Sequence, residues 1–160
     1  MEQLGGKYLT FALGKEEYGI PIQRVKEIIG MMEITEVPRT PDFIKGVINL
    51  RGKIIPLMDL RLKFGLPEKT YSERTCIIVV EVASEEGRGV RMMGIAVDMV
   101  SEVVNIADGD VEQPPKYGNG VDIRFLRGMG KVKGKVVMLL DMDSVLSAEE
   151  FALLGDMKGV

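Results

Sequence analysis

The chain has 160 residues, enough for one domain or two small ones, and its 46% hydrophobic and 28% charged residues are typical of a globular protein with a core. The formal net charge of -3 gives the molecule as a whole no attraction to DNA, RNA or anionic lipid. Histidine is absent and Cys76 is the single cysteine, which excludes a disulfide within the chain and argues against transition-metal sites and histidine-based catalysis.

The start of the chain lacks the basic and long apolar regions of a signal peptide. No apolar run approaches the ~18 residues that a membrane span requires. Cys76 lies in the apolar run "TCIIVVEV", where it is expected to pack as a small hydrophobe in a reducing compartment. These features predict a cytoplasmic protein.

The first elements of the chain are a strand and a short helix. In "YLTFAL" (residues 8–13), apolar residues at every second position indicate a half-buried strand. The charged segment "GKEE" that follows predicts a turn. Residues 24–29 are predicted to form a short helix of a turn or two, which ends at Gly30.

The next element, residues 43–60, reads "FIKGVINLRGKIIPLMDL" and is predicted to be a hairpin. Apolar runs flank Arg51 and Gly52, and a glycine in second place of a two-residue connection readily adopts a positive φ. Asp59 then precedes a second short helix, which is predicted to end before Gly65.

The second half follows the same order. A strand in "TCIIVVEV" leads to the loop "ASEEGRGVR" (residues 83–91), which is expected to be exposed and to which we assign no function. A second hairpin, "FLRGMGKVKGKVVMLLDM" (residues 125–142), turns at Lys133 and Gly134. The chain closes with a helix predicted within residues 144–157, where Ser147 and Glu150 form a capping-box pattern.

The two halves are copies of one small unit. The two hairpins align over their whole length without a gap, and the segments upstream of them align as well. Identical pairs are Gly19/Gly94, Ile20/Ile95, Val25/Val100, Glu27/Glu102, Phe43/Phe125, Gly46/Gly128, Gly52/Gly134, Lys53/Lys135, Leu57/Leu139 and Asp59/Asp141. The duplication predicts subdomains at 8–70 and 71–143 within a single domain over 1–160, followed by the helix at 144–157. Because a unit of this size is marginal alone, the two are expected to share apolar surface.

The candidate catalytic motifs do not have the spacing or the residues that catalysis requires. "GVINLRGK" has the wrong spacing for a phosphate loop, and no nucleophile has a recognisable base beside it. Asp59 and Asp141 are equivalent in the duplication and follow strands, so a capping role explains both better than a catalytic pair. The sequence therefore predicts a protein that is not an enzyme.

Four segments of the chain resemble the CheW family of chemotaxis coupling proteins. These are "FALGKEEYGIPIQRVKEIIG", "TPDFIKGVINLRGKIIPLMDLRLKFG", "GIAVDMVSEV" and "SAEEFALL", and the resemblance runs from about residue 8 to residue 154. It implies a mainly β fold of two SH3-like five-stranded β-barrels with short helices. It also implies an adaptor without catalytic activity, cofactor or metal. The adaptor would join the cytoplasmic tips of methyl-accepting chemoreceptors to the regulatory domain of a CheA-type histidine kinase, as a monomer in isolation that assembles in receptor arrays.

The resemblance also implies site residues. Positions that contact the receptor in the family match Val25, Gly46 and Arg51, with Glu27, Lys45 and Asn49 as neighbours. The apolar outer face of the first barrel contacts the kinase in the family, and Ile20, Ile22 and Ile54 are its candidates here.

Alternatives remain open at this point. Arg51 either binds a partner's carboxylate or forms an intramolecular pair with Glu27. The adaptor serves either chemotaxis or a pilus- or motility-type chemosensory pathway. A small barrel that binds nucleic acid through Lys131, Lys133 and Lys135 is one rival from another class, although the acidic net charge and the few aromatic residues argue against it. An enzyme that acts through carboxylates alone is the other.

Overall fold

The computed structural model describes residues 4–83, 89–114 and 123–157. Over these residues strands predominate and form two sheets, which confirms the predicted mainly β fold. The strands are β1 (Gly6–Leu13), β2 (Glu16–Pro21), β3 (Val25–Gly30), β4 (Ile44–Leu50), β5 (Lys53–Asp59), β6 (Cys76–Ala83), β7 (Val90–Val97), β8 (Met99–Ile106), β9 (Val111–Glu112), β10 (Leu126–Val132) and β11 (Lys135–Leu140). The helices are α1 (Leu60–Lys63) and α2 (Ala148–Met157), with 3₁₀ turns at Ile22–Arg24, Asp108–Asp110 and Ile123–Phe125.

The two sheets draw strands from both halves of the chain. One has five strands in the order β3-β6-β7-β5-β4, and the other has six in the order β8-β1-β2-β11-β10-β9. The pairing therefore differs from the predicted subdomain boundaries 8–70 and 71–143, because the β1–β2 and β6–β7 hairpins have exchanged sheets. Parallel pairing of β2 with β11 and of β5 with β7 inserts each hairpin into the sheet of the other half.

Two glycines allow these parallel contacts. Gly19 of β2 lies opposite Leu139, and its duplicate Gly94 of β7 lies opposite Leu57. A Cβ atom at Gly94 would lie 2.9 Å from Ile77 Cγ2 and 3.3 Å from Leu57 Cδ1. The recurring glycine thus lies where a Cβ atom would press on side chains of the neighbouring strands, both parallel and antiparallel.

The helix predicted at residues 24–29 is wrong, since β3 occupies this segment. Along β3 half-buried and exposed residues alternate, and the strand pairs antiparallel with β6. The β-branched residues Val25, Ile28 and Ile29 suit this conformation. A single 3₁₀ turn at Ile22–Arg24 redirects the chain from one sheet to the other just before it.

Both predicted hairpin turns are confirmed. Arg51 and Gly52 have φ of 52° and 88°, and Lys133 and Gly134 have φ of 50° and 78°. Positive φ at both central residues is the type I′ geometry that matches the twist of the flanking strands.

The capping role predicted for the duplicated aspartates is confirmed at Asp59. Its Oδ1 accepts from the backbone N–H groups of Arg61 and Leu62 at the start of α1, at 2.9 and 3.3 Å. Asp141 accepts instead from the N–H of Asp143 at 3.1 Å and caps a turn.

The largest apolar cluster lies between the two sheets and takes residues from both. Phe11 and Ile20 come from the six-stranded sheet and Ile78 and Ile95 from the five-stranded sheet, and all four are fully buried or nearly so. Two smaller clusters lie within the individual sheets. The two sheets therefore share apolar surface, and each draws strands from both halves of the chain.

The C-terminal helix begins at Ala148, four residues inside the predicted span 144–157. The predicted capping box is present: the N–H of Ser147 donates to Glu150 Oε1 at 2.8 Å, and the N–H of Glu150 donates to Ser147 Oγ at 3.1 Å. Phe151 anchors the helix in the main cluster.

The predicted loop at 83–91 lies mostly outside the described residues, and β7 already begins at Val90.

Candidate partner-binding groove

The predicted receptor-contacting residues lie on the two edge strands of the five-stranded sheet. Val25 and Glu27 are on β3, and Lys45, Gly46 and Asn49 are on β4. Arg51 lies in the turn between β4 and β5 and its Nη2 donates to Glu27 Oε2 at 2.8 Å. The structure thus brings Arg51, Glu27 and Asn49 together, through the ion pair and the bond from the Gly52 N–H to Asn49. Val25 packs instead on the cluster between the sheets, and Lys45 and Gly46 contact Glu68 and Thr35. We refer to the surface around the Arg51–Glu27 pair as the β3–β4 groove.

The Arg51–Glu27 pair is the electrostatic centre of the groove. The Arg51 side chain is 71% exposed and that of Glu27 is 30% exposed. The hydrogen bond from Arg51 lowers the pKa of Glu27, with burial acting in the opposite direction. Glu27 in turn raises the pKa of Arg51, first through the same hydrogen bond. Both groups are therefore charged at neutral pH, and the predicted intramolecular pair is present.

The pair leaves hydrogen-bonding capacity unused on both sides. Glu27 Oε1 is buried and has no hydrogen-bond partner among the described residues. Arg51 directs one nitrogen to Glu27, whereas a guanidinium carries five N–H donors in a fork that fits a carboxylate. An intramolecular pair and a contact with a partner are therefore compatible, because the exposed side of the guanidinium stays open to solvent.

Asn49 shapes the turn that carries Arg51. Its Oδ1 accepts from the N–H of Gly52 at 2.8 Å, closing the hairpin from the side. The sequence predicted Asn49 only as a neighbour of the site, and its duplicate, Lys131, has no oxygen with which to accept this bond. Asn49 is thus a positioning residue for the guanidinium.

Gly46 lies where β4 meets the segment before it. It has a φ of 143° and sits at a β-bulge opposite β5. Thr35 pairs with Val47 through two backbone hydrogen bonds of 2.9 and 2.8 Å, and a Cβ atom at Gly46 would overlap the carbonyl oxygen of Thr35. Only glycine allows this approach.

Two further residues of these edge strands are Lys45 on β4 and Ile28 on β3. Lys45 Nζ lies 3.0 Å from Glu68 Oε1, and its side chain is 24% exposed. Ile28, beside Glu27 on β3, is 44% exposed and was missed by the sequence reasoning. Its duplicate Val103 is also apolar and exposed. The recurrence of an apolar residue at this position of the edge strand was the signal from which an exposed contact residue could have been predicted.

One predicted kinase-contacting residue requires correction. Ile20 is completely buried, because β2 is an internal strand and its side chain packs in the cluster between the sheets. It is a core residue and contacts no partner in the folded state. Ile22 and Ile54 are half-buried and pack on the edge of the same cluster.

Comparison with known proteins decides the family. The family model described as a CheW-like domain matches residues 7–150. The chain belongs to the CheW-like domain family. The resemblance predicted from the sequence is confirmed.

Individual CheW proteins match over nearly their whole length. The chain is 40% identical to the chemotaxis protein CheW of Klebsiella aerogenes, with 96% of this chain and 89% of that protein covered. It is 32% identical to the chemotaxis protein CheW of Rhizobium meliloti, covering 91% and 90%. The crystal structure of the scaffolding protein TtCheW from Thermoanaerobacter tengcongensis superposes with a TM-score of 0.81 at 35% identity and covers 92% of this chain and 97% of that one.

Helices that are both long enough and apolar enough to cross a membrane are absent from the part of the chain that the structure describes.

Proposed function

We propose that this protein is a non-catalytic cytoplasmic adaptor that couples chemoreceptors to a CheA-type histidine kinase in chemotaxis. The ion pair between β3 and the β4–β5 turn is the observation that carries the proposal, since it presents one exposed guanidinium at a position that contacts the receptor in the family. The names of the curated relatives favour chemotaxis over a pilus- or motility-type pathway.

The groove suits the helical hairpin of a receptor tip. Arg51 offers its open guanidinium donors to a carboxylate, and Glu27 and Asn49 hold it in place. Ile28 supplies exposed apolar surface on β3. A partner helix that presents one acidic and a few apolar side chains on one face would bind the Arg51 guanidinium and pack on Ile28.

The kinase contact is assigned to the surface at Ile22, in the turn before β3, and Ile54, on β5, because both side chains retain partial exposure. Each contact is expected to be modest, with a dissociation constant in the micromolar range, or about -8 kcal/mol. In an array the linked contacts gain strength through effective concentration, so weak individual interfaces suffice.

Calorimetric titration of the chain with the isolated regulatory domain of its cognate kinase tests the coupling. Saturable binding with a dissociation constant of roughly micromolar size is expected. An absence of heat change at concentrations of about 100 μM of both proteins, confirmed by an absence of co-elution, would refute the kinase contact. The fold and the family membership do not depend on this outcome.

Arg51→Ala is expected to weaken binding to a receptor cytoplasmic fragment by about ten-fold, because a charge-assisted hydrogen bond to the partner is lost. The fold should be unaffected, since the side chain is largely exposed. The measurement is co-sedimentation with receptor-containing membranes.

Lys133→Ala is the matched control, because Lys133 holds the equivalent turn position in the other hairpin with almost the same φ. It is expected to leave receptor binding unchanged. Equal binding by a folded Arg51→Ala variant and the wild type would show that Arg51 is not part of the receptor contact.

A further inference from the structure

The ion pair at the centre of the β3–β4 groove recurs in the other sheet. Lys133 Nζ lies 3.2 Å from Glu102 Oε1, and the two residues are the duplicates of Arg51 and Glu27. Lys133 lies in the β10–β11 turn and Glu102 on β8, as Arg51 lies in the β4–β5 turn and Glu27 on β3. The second unit therefore contains the same turn-to-strand ion pair, and the proposed function does not use it.

A pocket of about 340 Å³ opens at this place, between β8 and β10. In the described part of the chain β8 pairs with β1 alone, which leaves its outer edge unpaired beside the pocket. β9 pairs only with Met129 and Gly130 of β10, so in the described residues Lys131 and Val132 have no strand partner on that side. The unpaired edge of β8 thus faces a cavity, which is the geometry that accepts an added strand.

The side chains around the pocket define the chemistry of that strand. Val103 is 53% exposed on the β8 side, and Val132 also lines the pocket, so a partner needs apolar residues at alternate positions. Lys131, Lys133 and Lys135 lie along the β10–β11 hairpin, and they are exposed on a chain whose net charge is -3. Lys135 has no acidic partner among the residues that the structure describes.

The acidic partners of the other two lysines are exchangeable. Lys131 lies 2.7 Å from Glu112 Oε1, with side chains 60% and 64% exposed. The Lys133–Glu102 pair is 75% and 49% exposed. Solvent-exposed pairs of this kind contribute little to stability, so the carboxylates of an incoming segment can replace or share them.

We infer that the β8–β10 pocket is a second docking site, which binds an extended acidic segment of a partner protein as an added strand. Acidic side chains of that segment contact Lys133 and Lys135, and its apolar side chains pack on Val103 and Val132. This site is separate from the β3–β4 groove and does not depend on the identity of the receptor or kinase. It gives the duplicated chain two docking positions of related design.

Nucleic acid fits the pocket less well than a peptide. Aromatic side chains, on which bases stack, are absent from the pocket lining in the described residues. Single-stranded nucleic acid is therefore included in the test as the competing occupant.

The test is an amide chemical-shift titration of the ¹⁵N-labelled full chain with a capped peptide of alternating glutamate and valine, long enough to span β8. Saturable shifts are expected at residues 102–105 and 131–135. Lys133→Ala is expected to weaken binding by about ten-fold, the ratio for one charge-assisted hydrogen bond. Arg51→Ala, the matched change in the other groove, is expected to leave the peptide affinity unchanged.

Three outcomes overturn the inference. The first is an absence of saturable shifts at these residues. The second is equal or tighter binding of a control peptide of alternating lysine and valine. The third is tighter binding of single-stranded oligodeoxythymidine than of the acidic peptide at the same amides, with an affinity that falls steeply with salt. The kinase and receptor measurements concern the other sheet, so failure of the second site leaves their results intact.

Discussion

Gly46→Ala is expected to lower the free energy of unfolding by about 3 kcal/mol, because it combines a strained backbone angle with a steric overlap. The φ of 143° is one that residues with a Cβ atom rarely adopt, and the added methyl group would meet the carbonyl oxygen of Thr35. That oxygen accepts the N–H of Val47 at 2.8 Å, so relief of the overlap separates Thr35 from β4. Urea unfolding followed by circular dichroism measures the change.

Alanine variants of two further glycines distinguish the effect of backbone strain from that of the steric overlap. Gly30, at the end of β3, has no positive φ and has open space where a Cβ atom would lie, so Gly30→Ala is expected to change the free energy of unfolding by no more than about 0.5 kcal/mol. Gly52 has open space but a φ of 88°, so Gly52→Ala should show strain alone, about 1 kcal/mol. If all three variants were equally stable, the contact with Thr35 would not constrain this position.

Arg61→Ala is expected to lower the free energy of unfolding by about 3 kcal/mol, because it removes the nearer and more buried of the two cations beside a largely buried carboxylate. Arg61 Nη1 lies 2.7 Å from Asp98 Oδ2, and the two side chains are 13% and 14% exposed. The same oxygen accepts the N–H of Gly14 at 2.7 Å, and the N–H of Asp98 donates to Ala12 at 3.1 Å. Thermal and urea unfolding of the variant provide the measurement.

Lys69→Ala is the matched control, since Lys69 Nζ lies 4.0 Å from the same Asp98 oxygen but the side chain is 57% exposed. Its expected effect is below about 0.5 kcal/mol. Arg61→Lys, which keeps the positive charge, should recover part of the loss. Should Arg61→Ala prove as stable as Lys69→Ala, the buried pair would not hold this part of the fold together.

The position of this ion pair explains its importance. Asp98 lies between β7 and β8, where the chain passes from the five-stranded to the six-stranded sheet. The earlier passage, between β2 and β3, is held by Arg24, which binds Asp143 through two hydrogen bonds of 2.7 and 2.6 Å. Asp143 is the duplicate of Arg61, so the same position of each half supplies one charge of an ion pair, with the sign reversed, and its partner lies in each passage at a neighbouring position of the alignment.

Local elements could be predicted from the residues read along the chain. The turns at Arg51-Gly52 and Lys133-Gly134, the cap at Asp59 and the capping box at Ser147 each depend on the backbone preferences and side-chain hydrogen bonds of a few neighbouring residues. The internal repeat and the mainly β composition followed from the same residues. The six groove positions were carried over from the family's motif, which the sequence preserves.

The way these elements combine depended on the tertiary structure. The β1–β2 and β6–β7 hairpins are equivalent in the duplication, and their exchange between the sheets depends on long-range pairing that no local pattern specifies. Residues 24–29 became a strand because an edge of β6 was available to them, which their own short-range preferences do not reveal. Ile20 is a core residue for the same reason, since its strand is flanked on both sides. The charge-reversed ion pairs join residues distant in sequence, and no local pattern encodes such a contact, because its free energy exists only once burial has brought the two charges together.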